Sequence, residues 1–125
     1  MEGMWIWKPT KDLPVLIEGG MDGILILGSI GEFFAIPMEE KKRMIQEALD
    51  YVDHRVTVYV GTGGTVFEEC VELSRFALDR GADGVMVISP YYFNLPDSSI
   101  LNFTIPWQGS WMDRCFCIIP GQNWL

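Results

Sequence analysis

The chain has 125 residues, is 49% hydrophobic and carries a formal net charge of -8 with a single histidine. That acidic balance lacks the basic surface that nucleic acid or an anionic membrane requires, and no apolar stretch reaches the eighteen or so residues of a membrane span. Met1 to Lys11 has neither the basic start nor the long apolar middle of a signal peptide, so a cytoplasmic location is expected.

In chain order, Gly3-Met4-Trp5-Ile6 reads as a strand remnant joined early to Leu13-Pro14-Val15-Leu16-Ile17, where Pro14 breaks all but a short helix. Gly20-Met21-Asp22-Gly23 then leads into the wholly apolar run Ile24-Leu25-Ile26-Leu27. A run this short predicts a strand buried on both faces, which requires helices on either side of a parallel sheet. Gly28-Ser29-Ile30-Gly31-Glu32 follows directly. A glycine-flanked hydroxyl at that end of a strand is where such sheets present N–H groups to an anion; a plain strand-to-loop turn is the other reading. Glu32 suits a capping contact in that turn better than acid-base work.

Pro37 predicts a helix start, with Glu39 and Glu40 at its positive end and Ile45, Ala48, Leu49 and Val52 on one stripe. His54 falls after this helix and before the predicted strand Val56–Val60, at the end of the sheet away from the Ser29 turn. Gly61-Thr62-Gly63-Gly64-Thr65 lacks the Lys-Ser/Thr ending of a phosphate-binding loop and reads as a pocket wall. A second helix from about Val66 to Arg80 carries Val66, Cys70, Leu73 and Ala77 on one face and stops at Gly81. Gly81-Ala82-Asp83-Gly84 then leads into Val85-Met86-Val87-Ile88, repeating the phrase before Ile24. Asp22 and Asp83 are expected to cap turns. Strand starts lie roughly thirty residues apart, the length of one βα unit. The three cysteines, Cys70, Cys115 and Cys117, describe no disulfide framework, and a Cys-x-Cys pair alone is a weak zinc signal, so no metal or other cofactor is expected.

Three strand-end motifs, Gly28-Ser29-Ile30-Gly31-Glu32, Gly61-Thr62-Gly63-Gly64-Thr65 and Ser89-Pro90-Tyr91-Tyr92-Phe93, together resemble the family of dihydrodipicolinate synthase, N-acetylneuraminate lyase and the 2-keto-3-deoxy sugar acid aldolases. The resemblance runs from about Leu16 to Asn102, and Gly31-Glu32-Phe33-Phe34 is similar to the sugar acid aldolase branch. It implies a (β/α)₈ barrel, usually tetrameric, that joins a lysine to pyruvate or another 2-keto acid as a Schiff base. By the same resemblance, Ser29 and the N–H of Ile30 hold the keto acid's carboxylate, Tyr91 lines the site, and Tyr92 matches a catalytic relay tyrosine that reaches a neighbouring subunit's site. Many relatives carry a second hydroxyl where this chain has Ile30, which removes one hydroxyl from the relay.

A barrel of this kind needs about 250 residues. The expected fold is therefore α/β, a partial barrel of about four βα units with a damaged first unit, divided into residues 1–102 and a non-family tail, 103–125. The family's lysine and its Tyr-Asn-x-Pro motif have no match: Lys8, Lys11, Lys41 and Lys42 all precede the second strand counted from Ile24, and no tyrosine follows Tyr92. Lys41 and Lys42 sit in a glutamate-rich helix start, which argues against a lowered pKa. The chain is expected to be inactive alone, or else to act as a non-catalytic module that joins itself or a full-length relative.

The tail itself is either an evolved end or a product of a shifted reading frame. Read from each codon's third base, Trp107-Gln108 must give Ala, Trp111-Met112-Asp113 must give Asp-Gly, and Phe116-Cys117 must give Leu. That register can read Tyr-His-Thr-Leu-Ala, two residues, then Val-Asp-Gly-Pro-Val-Phe-Leu-Tyr-Asn, which resembles the family's fourth helix, fifth strand and Tyr-Asn motif. On this reading Cys115, Cys117, Trp107, Trp111 and Trp124 carry no function.

Overall fold

The computed structural model describes residues 9–90, 96–104 and 112–118. Its elements alternate: α1 (Pro9–Glu18), β1 (Gly23–Ile26), α2 (Met38–Val52), β2 (Thr57–Gly61), α3 (Phe67–Asp79), β3 (Gly84–Ile88), α4 (Asp97–Thr104) and β4 (Cys115–Ile118). The strands form one parallel sheet in the order β1-β2-β3-β4. Each crossover carries a helix, as parallel pairing between consecutive strands demands.

Register sorts the side chains into two faces. Ile24 lies beside Val58, and Ile26 beside Val60, which lies beside Val85. These residues and Val87 are buried in one core with Ile45, Ala48 and Val52 of α2 and Cys70, Leu73 and Ala77 of α3. Complete burial of a Val, Leu or Ile side chain is worth about 1.5–3 kcal/mol, so this layer is what holds the sheet. On the opposite face, Leu25, Tyr59 and Gly84 share a row, and Leu25 is 45% exposed. Gly84 is needed there because a Cβ would come within 2.7 Å of the Tyr59 ring and 2.9 Å of the Arg114 carbonyl oxygen.

The end of the sheet where strands begin is pinned by Asp83. Its N–H donates to the Val58 carbonyl at 2.9 Å, and its carboxylate accepts from the Val58 N–H at 2.8 Å. Asp83 thus clamps β3 to β2 rather than capping a turn. The Asp22 carbonyl accepts from the Thr57 N–H at 3.3 Å, joining the entry of β1 to β2 through backbone. Gly81 at φ +102° ends the α3 connection in the left-handed region, as expected of a glycine after a helix.

Several local expectations change. Helix α1 runs for ten residues straight through Pro14, which forfeits the bond to the Thr10 carbonyl but leaves the rest of the ladder. Val66 caps α3 from an extended conformation and is 44% exposed, so the buried stripe starts at Cys70. The tail is not wholly irregular: β4 pairs with β3 from Val85–Cys115 to Ile88–Ile118. Helix α4 crosses the 102/103 boundary, with Phe103 stacked edge-on against Phe67 at 5.6 Å. The strand remnant expected at Gly3–Ile6 lies outside the described residues.

Leu73 is 2% exposed, whereas Val15 is 70% exposed. Leu73→Ala is expected to cost about 2–5 kcal/mol and Val15→Ala less than about 0.5 kcal/mol, read from urea unfolding of each variant.

Candidate functional site

The strands end together at one rim, and β1 makes the sharpest exit. Leu27 is buried and adopts φ 55°, a conformation unfavourable for a branched side chain. The chain then closes two 3₁₀ turns, Ser29–Gly31 and Phe33–Ala35, with Glu32 between them at φ 52°. The first turn's bond runs from the Gly31 N–H to the Gly28 carbonyl at 2.9 Å. The Ser29 and Ile30 N–H groups precede that bond and have no partner inside the turn. Ser29 is exposed and Ile30 is 98% exposed. Glu32 makes no side-chain capping bond; its contribution is the left-handed backbone between the turns.

The second wall is the glycine-rich exit of β2. A Cβ at Gly61 would overlap the Leu27 carbonyl, and one at Gly63 would fall 2.8 Å from the Ile88 N–H nitrogen. Only glycine allows β1, β2 and β3 to close up here. Thr62 fastens this exit twice: its N–H donates to the Met86 carbonyl at 3.0 Å, and its hydroxyl shares a 2.6 Å hydrogen bond with Ser74 of α3. Between the walls is a cleft of about 80 Å³, lined by Leu25, Ser29, Phe33, Gly63, Met86 and Ile88 among others. Among the described residues, Ser29 is the only hydroxyl on this lining. A wider groove of about 420 Å³ lies on the other side of β1, against Leu13 and Leu16 of α1, and also reaches Ser29.

Lys41 corrects one expectation. Its ammonium sits 5.7 Å from the centre of the Phe33 ring, and desolvation holds its pKa below the ordinary lysine value against the opposing pull of Glu69. Lys42 follows the expected direction: its hydrogen bond to Glu72 at 2.6 Å raises its pKa. Lys41 does not line the cleft beside Ser29. His54 is at the opposite end of the strands, against Gly81. Tyr91 and Tyr92 lie outside the described residues. Among those described, no cluster of His, Cys, Asp and Glu could hold a metal ion, and no helix is long and apolar enough to cross a membrane. Within the loop expected to be a pocket wall, Thr62 instead bonds into the helix layer, and the alternation Val58-Val60-Thr62 was the available signal for it.

Residues 11–103 match the dihydrodipicolinate synthetase family. The chain belongs to that family. YagE of Escherichia coli K12, provisionally named a 2-dehydro-3-deoxy-D-gluconate aldolase, is 46% identical over 88 residues, covering 70% of this chain and 29% of YagE. The 4-hydroxy-tetrahydrodipicolinate synthase of Methanoculleus marisnigri is 46% identical over 96 residues, covering 75% of this chain and 33% of that protein. The solved structure of YagE in complex with pyruvate superimposes with a TM-score of 0.73 at 42% identity, over 77% of this chain and 32% of the other. Dihydrodipicolinate synthase from Aquifex aeolicus gives 0.74 at 29% identity, over 86% and 36%. The chain thus spans about a third of the length of these relatives. Its α/β fold is part of a (β/α)₈ barrel, and in such barrels the strand ends that carry the Ser29 turn form the catalytic face.

Cys70 flanks this region from α3, and burial pushes its thiol from 9.0 up to about 11, partly offset by Lys41. In the folded chain it stays protonated at about pH 8 and is expected to resist iodoacetamide until the protein unfolds, as peptide mapping of Cys70 will report. The stabilisation from holding this thiol neutral is complete below about pH 9. It is lost as pH rises through 9 towards 11, because the unfolded chain releases the proton first.

Proposed function

We propose that this chain supplies the carboxylate-binding wall of a lyase of the dihydrodipicolinate synthetase family, which acts on pyruvate or a related 2-keto acid. The observation that carries this reading is the Gly28–Gly31 turn, with an exposed Ser29 hydroxyl at the rim of an otherwise apolar cleft. A small keto acid suits that surface: the carboxylate accepts from the Ser29 hydroxyl and the Ile30 N–H, and the apolar wall takes the carbon chain. YagE, whose solved structure contains pyruvate, supports the substrate class.

The chemistry these residues perform is binding and orientation. Imine formation requires a lysine amine aimed at the bound carbonyl, and neither Lys41 nor Lys42, the lysines whose side chains are described, belongs to the cleft lining. On this reading the 125-residue chain by itself forms no Schiff base. The setting in this reading is cytoplasmic. Incubation with pyruvate and borohydride is expected to leave the mass of the chain unchanged. A pyruvyl adduct, above all on the desolvated Lys41, overturns the inactive reading. Pyruvate titration followed by NMR is expected to shift the Gly28–Gly31 amides, and Ser29→Ala to weaken that response about tenfold with the circular dichroism unchanged. Equal binding by the variant removes Ser29 from the site.

A second reading is a module that docks on a full-length relative. It rests on the exposed Ile30, at 98%, and Phe34, at 66%, beside the same rim, since apolar patches of that kind mark interfaces. Stoichiometric change in the relative's activity on mixing supports docking, and aggregation without such a change counts against it.

A further inference from the structure

We propose that Asp22 is a site of covalent modification: its carboxyl condenses with the Gly23 N–H and reopens as isoaspartate, which reroutes the backbone through the side chain just before β1. The chemistry needs no metal, ligand or second protein. It needs a geometry that Asp22 has and that its counterpart at the start of β3 lacks.

The attacking atom is a backbone nitrogen, so the residue after the aspartate decides whether it can approach. A Cβ there crowds the attack and stiffens the backbone, and glycine removes both obstacles. The aspartates followed by glycine are Asp22 and Asp83, each opening a strand of the same sheet. Both side chains are exposed, so water reaches each of them. What differs is how the two reacting groups are held. Asp83 donates its N–H to the Val58 carbonyl at 2.9 Å, and its carboxylate accepts from the Val58 N–H at 2.8 Å. Turning that carboxyl onto the Gly84 nitrogen breaks the second bond. Gly84 is itself buried, with the Tyr59 ring and the Arg114 carbonyl 2.7 and 2.9 Å from where a Cβ would stand, which leaves no room for a tetrahedral intermediate.

Asp22 has the opposite surroundings. Its carboxylate makes no hydrogen bond or salt bridge to another described residue. Gly23 is the register partner of Thr57, whose N–H donates to the Asp22 carbonyl at 3.3 Å. A strand in a parallel ladder turns alternate residues to each side, so Ile24 presents its N–H to β2 and Gly23 presents its own to the other edge. Among the described residues that edge is unpaired, since β1 stands first in the order β1-β2-β3-β4. The carboxyl and the nitrogen that must meet are therefore adjacent, and neither gives up a bond to do so.

In the first step the Gly23 nitrogen adds to the Asp22 carboxyl carbon and loses its proton, one carboxyl oxygen leaves as water, and a cyclic imide closes. Water then adds to the imide at the former backbone carbonyl, whose oxygen already accepts the Thr57 N–H and is polarised by it. The original peptide C–N bond breaks, and Gly23 stays joined through the side-chain carbon. Water lost equals water gained, so the mass is unchanged and nothing is oxidised or reduced. The product has a backbone longer by a methylene, carries a new α-carboxylate before β1, and moves the carbonyl that held Thr57.

The test is ageing of the full chain in mildly acidic buffer, followed by peptide mapping with electron-transfer fragmentation, which separates isoaspartate from aspartate at equal mass. Isoaspartate is expected at Asp22 in excess over Asp83 by about tenfold or more, because Asp83 must first break a hydrogen bond to a charged acceptor. In urea, with the sheet gone, the two dipeptides are expected to react at similar rates. Asp22→Glu, whose longer side chain closes an imide far more slowly, is expected to keep the circular dichroism and abolish the product. As the product builds in the parent chain, hydrogen exchange of the Thr57 amide is expected to quicken, while the Val58 amide, held by Asp83, keeps its rate. An unmodified Asp22 in the folded chain, equal accumulation at Asp22 and Asp83, the same excess persisting in urea, or undiminished product in Asp22→Glu overturns the proposal.

Discussion

Val58, Val60, Val85 and Val87 stand on one face of the sheet, where Ile45, Leu73, Ala48 and Ala77 cover them almost completely. That contact is the constraint on which the rest depends. It fixes which face of each strand meets the helices, since a slip of one residue would turn every valine to the other side. It also fixes where strands stop, because α2 and α3 must return to the beginning of the next strand. The rim that carries Ser29 is therefore a consequence of the packing beneath it, and its turns can be irregular because the layer below is not.

At the rim the limiting quantity is space. Gly61 and Gly63 let β2 leave between Leu27 and Ile88, and Thr62 between them turns its hydroxyl to Ser74 in the helix layer. Two adjoining residues thus serve opposite sides of the sheet. The loop is held from below by a buried hydrogen bond while its open side remains apolar cleft. Leu27 and Glu32 bear the conformational cost of the sharp exit from β1, both at positive φ without being glycine. Strain of this kind persists only where surrounding structure imposes it, and it concentrates at working sites.

Electrostatics is arranged around the same rim without entering it. The glutamates at the starts of α2 and α3 face the positive helix ends, and Lys42 bridges the two helices through Glu72. Lys41, one residue away, is turned over Phe33 and loses water, which reverses the direction of its shift. Neighbouring lysines in one sequence context thus differ because one points across the helix pair and the other against an aromatic ring. Position along the chain does not distinguish them; orientation does.

Periodicity alone determined much of this protein. The apolar runs at Ile24–Leu27 and Val85–Ile88, the stripe Ile45-Ala48-Val52 and the repeated Asp-Gly entries specify alternating helices and parallel strands, but burial on both strand faces does not hold, since Leu25 on the face away from the helices is 45% exposed. The glycine-flanked Ser29 was legible as a strand-end turn. Four matters were left to tertiary structure. Asp83 became a cross-strand clamp because β2 happens to lie beside it. Pro14 was tolerated because the ten-residue α1 loses only one bond to it. Lys41 was partly desolvated where it lies over Phe33, a neighbour eight residues earlier across two turns. Cys115–Ile118, which showed no period, became a strand because the edge of β3 offered unpaired backbone groups. In each case the deciding term is a contact between segments distant in sequence or held by a non-repeating turn, and local patterning carries no record of such contacts.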